Sequence, residues 1–140
     1  MNAVLYSCLA LAAVTGGSPV LAAAQSALSP AQQAVVDKAI AKTSAEERKM
    51  VAEWSDGKKL AEFFCAKPGL AAIRKQERTA DRVFLGPDDE GVKKFVLTGN
   101  TRLSGRGTVR VHGGWKEFAF VCDLDPVKAT AKGFTVTIDK

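Results

Sequence analysis

Cys65 and Cys122 sit in stretches of opposite periodicity, and a bond between them would dictate how the two halves of the chain meet. Around the second cysteine, Phe118, Phe120, Cys122 and Leu124 alternate with Glu117, Ala119, Val121 and Asp123. A repeat of two is the signature of a half-buried strand, and it turns Cys122 inward with the aromatic residues. Around the first, Leu60, Ala61, Phe63, Phe64 and Cys65 follow helical spacing, with Cys65 on the apolar side beside Ala61 and Phe64. Each cysteine points inward from its own element, which is the geometry a helix-to-strand clamp requires.

Whether the pair is oxidised depends on where the chain lives. No charged side chain occurs in the first two dozen residues. Val4 to Val20 is mostly apolar and is broken by Gly16-Gly17-Ser18-Pro19, and Ala22-Ala23-Ala24 precedes Gln25. An apolar core, a helix-breaking patch and small residues at a cut site make up a secretory signal. We therefore expect residues 1–24 to be a signal peptide, although no Lys or Arg lies near Met1. Cys8 falls inside that leader and reads as a small apolar residue of it. Removing the leader leaves two cysteines, and an even count in an exported chain reads as a disulfide. Closing a loop of roughly sixty residues is worth about 4 kcal/mol in the chain-entropy picture.

Residues 25–43 read as a polar lead-in and a short helix, with Ser29 as N-cap and Pro30 in the first turn. Residues 44–140 read as one domain. Ser44 to Glu47 has the spacing of a capping box. Met50, Val51 and Trp54 mark a helix face, Ser55-Asp56-Gly57 interrupts it, and Lys67-Pro68-Gly69 should stop the helix that carries Cys65. A further short helix is expected over 70–76. From Asp81 on the pattern is that of strands: 82–85, 94–103 with a bulge or turn at Gly99-Asn100, 105–112, the Cys122 strand, and a last one with Phe134, Val136 and Ile138 on one face. Gly113-Gly114 reads as a tight hairpin connector. Helices first and strands after imply an α+β fold. The expectation is N-terminal helices on one face of a four- to five-stranded antiparallel meander, with the other face wet.

Trp54 to Cys65, Ala80-Asp81-Arg82-Val83, Arg106-Gly107, Gly114-Trp115 and Phe118 to Cys122 together resemble the bacterial exported proteins grouped as domain of unknown function family 930. The resemblance spans about Glu47 to Ile138. It implies export and a paired cysteine, and it implies no activity.

Catalytic sets are missing from the sequence. His112 is the one histidine and sits at a hairpin end without a nucleophile beside it. Asp88, Glu90 and Asp123 fall in turn-rich stretches, which does not suit a pair of carboxylates facing one cleft. Asp88-Asp89-Glu90 lacks the alternation of a calcium loop, and no Cys/His cluster has zinc spacing. The expectation is a non-enzymatic domain with no cofactor and no nucleic-acid partner.

One run is chemically lopsided. Between Gly91 and Lys116 there is no acid, and six bases occur: Lys93, Lys94, Arg102, Arg106, Arg110 and Lys116. With the net charge of +5, this suggests a surface for an anionic polymer or for an envelope or host protein. Arg102, Arg106, Arg110 and Lys116 are its candidate residues. Trp115, of opposite parity to Phe118, should be exposed beside them and is a candidate anchor for a partner.

Overall fold

The computed structural model describes residues 27–86 and 95–140. The leader, Cys8, the Asp88-Asp89-Glu90 run, Lys93 and Lys94 lie outside the described residues. The expected class holds: helices cover one face of an antiparallel sheet. The helices are α1 (Pro30–Ile40), α2 (Ala45–Glu53), α3 (Asp56–Leu60) and α4 (Ala66–Ile73), with a π-helical turn (Ala61–Cys65) joining the last two. The strands are β1 (Arg82–Leu85), β2 (Val96–Thr98), β3 (Arg102–Val111), β4 (Gly114–Asp125) and β5 (Thr130–Ile138).

The sheet runs β1-β3-β4-β5, and β2 also pairs with β3. β1 takes Gly107 to Arg110 and β2 takes Arg102 to Ser104, so the two occupy one side of β3 in line. They form one edge of the sheet in two pieces. The boundary expected at Leu103 moves accordingly. Gly99-Asn100 is a turn rather than a bulge, and Leu103 belongs to β3. The next hairpin turn is His112-Gly113, because Val111 already pairs with Gly114.

The helix N-termini follow the sequence closely. Ser29 and Ser44 each accept a bond from the backbone three residues on, and Gln32 and Glu47 return the bond to the cap backbone. α2 and α3 are separate helices, because Trp54 and Ser55 are extended and Ser55 caps α3. Pro68 does not stop the chain as expected. It sits in the first turn of α4, where a missing N–H is tolerated, and the π-helical turn before it has already changed the hydrogen-bond pattern, with Ala66 N–H bonded to Ala61 O.

α1 carries only a narrow apolar stripe, Val35, Val36, Ala39 and Ile40. It does dock. Val36 is buried in the common core, and Gln32 is fully buried with its amide donating to Asn100 O at 3.0 Å. Ser29 Oγ donates to Pro126 O at 2.6 Å. Both loops at one end of the sheet are thus tied to α1 through polar atoms that would be costly to leave unpaired.

The core lies between the helices and the inward faces of β3 and β4. Leu60, Ile73, Leu85, Leu103, Val109, Phe118 and Leu124 are fully buried there. At its centre lies the disulfide, Cys65 to Cys122, with Cα atoms 6.1 Å apart and both residues fully buried. Gly107 is required by a close approach: a Cβ there would stand 2.5 Å from Phe84 O and 2.6 Å from the Phe118 ring. Gly86 is left-handed, with φ +87°, and the Phe95 ring fills the space its side chain would take.

The β4–β5 connection carries a pH-sensitive contact. Asp125 Oδ1 accepts from Lys128 N at 2.9 Å and Val127 N at 3.0 Å. These bonds, the one from Lys128 first, hold its carboxyl below the ordinary carboxylate range. A depressed folded pKa stabilises the fold above the unfolded value, and the gain is lost as pH falls through the folded value. Stability should therefore decline as pH drops below about 4, the unperturbed Asp value. Asp125→Asn keeps an acceptor in the turn but no longer titrates. Its thermal midpoint, followed from pH 7 to pH 2, should fall less steeply over the acid range than the wild type's.

Candidate functional site

β3 places Arg102, Ser104, Arg106, Thr108 and Arg110 on the face that the helices leave bare, as their opposition to Leu103 and Val109 requires. β4 adds Trp115, Glu117, Ala119, Val121 and Asp123, and β5 adds Thr135 and Thr137. The open face mixes small side chains with rows of charge.

Each row closes on itself. Arg102 Nε donates to Asp123 Oδ1 at 2.7 Å. Arg106 donates to Glu117 at 3.3 Å and also to Asp139. Arg110 forms two parallel bonds to Asp81, from Nε at 2.8 Å and from Nη2 at 2.7 Å. The first of these bonds' effects is on Asp81, whose carboxyl Arg110 holds below its ordinary range. The three arginines are pushed further above theirs by the hydrogen bonds to Asp123, Asp139 and Asp81. Exposed pairs such as these contribute little to stability, but they fix where the guanidinium groups point.

Lys116 does not join the arginines. It pairs in register with buried Val109, so it lies on the helix side of the sheet, where its ammonium bonds Glu77 just beyond α4. The acid-free run from Gly91 to Lys116 thus misleads as a picture of the surface. Its arginines and Lys116 meet acids that come from Glu77, Asp81, Glu117, Asp123 and Asp139, all outside that run.

Trp115 is exposed, as its parity predicts, at 53% of its surface. The sequence reading did not single out its companion, Phe84, which is 40% exposed. The two rings come from strands on either side of β3 and meet with centroids 5.6 Å apart at an interplanar angle of 32°. The signal for Phe84 was present in its parity with Arg82, but it needs the β1–β3 register to become visible. Beside the pair lies the Asp81–Arg110 fork, because Arg110 pairs directly with Trp115 across the strands. The result is an apolar corner with a charged rim.

The remaining candidates do not converge on chemistry. His112 is exposed at the turn, and its backbone N–H donates to Thr79 Oγ1 at 3.0 Å. Asp123 is engaged by Arg102. Trp54 is half-buried against Phe63, with the Lys58 ammonium 5.6 Å from its ring centre. A shallow apolar groove of about 470 Å³ runs between α1, α4 and the start of β5, lined by Val35, Phe63, Pro68 and Ala131 among others. Among the described residues no group of three or more His, Cys, Asp or Glu could hold a metal ion, and no helix is long and apolar enough to cross a membrane. Compared with protein-family models, with curated proteins and with solved structures, the chain matches none.

Proposed function

We propose that the chain is a small exported binding domain without catalytic activity, acting at the cell envelope or on a host protein, and that it meets a protein partner through Phe84 and Trp115. The observation that carries this reading is the solvent-facing aromatic pair beside the Asp81–Arg110 fork, since clustered exposed aromatics with a polar rim suit a partner-binding surface. Export rests on the leader pattern and on the resemblance to family 930, and the disulfide is compatible with it. A protein surface fits the open face better than an anionic polymer does. A polymer would have to compete with the carboxylates already bonded to Arg102, Arg106 and Arg110.

The test is quantitative capture from envelope extract by the immobilised oxidised protein, with the recovered partner then titrated in pure form. Trp115→Ala should weaken that partner by roughly 30-fold, the equivalent of about 2 kcal/mol at a hot spot. Phe84→Ala should act in the same direction. Val127→Ala, at an exposed site in the β4–β5 turn, should leave the affinity unchanged. Equal affinity for all four proteins would remove the aromatic corner from consideration.

A further inference from the structure

The two edges of the sheet are unlike. One is the broken line of β1 and β2, whose strands are four and three residues long. Short edge strands are a common guard against stray pairing. The other is β5, nine residues long, with no proline and no charge between Gly133 and Ile138. Its one irregularity is opposite Asp123 and Leu124, which leaves that stretch regular.

The hydrogen bonding tells which groups of β5 face away from β4. Asp139 N–H donates to Glu117 O at 2.9 Å, so the alternating pattern turns the backbone of Thr137 and Thr135 toward β4. The N–H and C=O groups of Phe134, Val136 and Ile138 therefore point outward. Gln76 Nε2 reaches Val136 O at 3.5 Å, which agrees with that direction and is a weak cover.

The outward sequence is symmetric. Phe134-Thr135-Val136-Thr137-Ile138 reads apolar, Thr, Val, Thr, apolar in either direction. We propose that this edge pairs with the same edge of a second copy of the chain, antiparallel and two-fold symmetric about Val136. In that register Val136 of each copy faces Val136 of the other and exchanges both backbone bonds. Phe134 faces Ile138 on the helix side, and Thr135 faces Thr137 on the open side. Pairs of aromatic with β-branched residues and of Thr with Thr are favourable across strands. The contact is isologous, so it closes at two copies, and Gln76 must release Val136 O to admit it. It uses the edge of the sheet and not its open face, so it stands independently of the partner reading above.

Sedimentation equilibrium of the oxidised protein over a concentration series tests this. The wild type should move from the mass of one chain to that of two. Thr135→Lys with Thr137→Lys puts like charges opposite each other twice, on exposed side chains that the fold does not need buried. It should weaken association by roughly tenfold or more. Thr135→Glu with Thr137→Lys puts opposite charges in the same places and should restore it. A wild type that stays single at the highest concentration would overturn the proposal. So would a dimer that ignores the double-lysine change, or one that the Glu/Lys variant fails to restore.

Discussion

Replacing Cys65 and Cys122 together by alanine should lower the unfolding free energy by about 4 kcal/mol and the thermal midpoint by on the order of 15 °C. The bond spans 57 residues of sequence, so it removes a large loop's worth of freedom from the unfolded chain. Its position adds to the effect. It joins the π-helical turn to the strand at the centre of the sheet, with both sulfurs fully buried. Without it the helical half and the sheet half are held by packing and by a few polar contacts, such as those of Gln32 and Ser29. For a domain of this size, 4 kcal/mol is a large share of the usual net stability. Calorimetry or thermal circular dichroism on the double variant, and on the wild type under a strong thiol reductant, should give matching losses. A drop under about 1 kcal/mol would mean that the unfolded chain is little constrained by the crosslink.

Phe118→Ala should cost about 4 kcal/mol in urea unfolding, which puts it on a par with losing the disulfide. The ring is the largest of the side chains that are fully buried. It lies over Gly107 on β3, and its centroid is 6.3 Å from that of Phe120. The Gly107 floor is bare backbone, and the Phe84 carbonyl beside it is pinned in the β1–β3 ladder. Neither can move in to fill the gap, so the cavity should persist and the cost should sit well above that of lost apolar transfer alone. Trp115→Ala serves as the contrast. That side chain is larger but exposed, and its removal should change stability by no more than roughly 0.5 kcal/mol.

What could be read from the residues was set by local chemistry. The strand through Cys122 and the serine caps of the first helices depend on neighbours in sequence, the disulfide on the cysteine count and on both cysteines facing inward, and all stand as expected. Pro68 departs from its expected role because its penalty depends on the turn before it, and a π-helical turn leaves no local mark. Leu103 lies one strand later than its composition suggests, because a turn at Gly99-Asn100 and a bulge there draw on the same residues. The charged surface was the hardest part. The bases crowd one run of sequence, while their acids arrive from strand neighbours and from the chain after α4. Only the β-sheet register brings them together, and a register cannot be counted from one strand at a time. Phe84 was missed for the same reason.

The two-piece edge has a practical consequence. Since β1 and β2 lie in line along β3, Gly86 N–H bonds Arg106 O and Val96 pairs with Ser104, two positions further along the same strand. Each half keeps its own bonds to β3, and the Phe95 ring is set against Gly86 and Phe120. A substitution at Phe95 should therefore loosen both halves of the edge at once, a lever on the sheet from a single position.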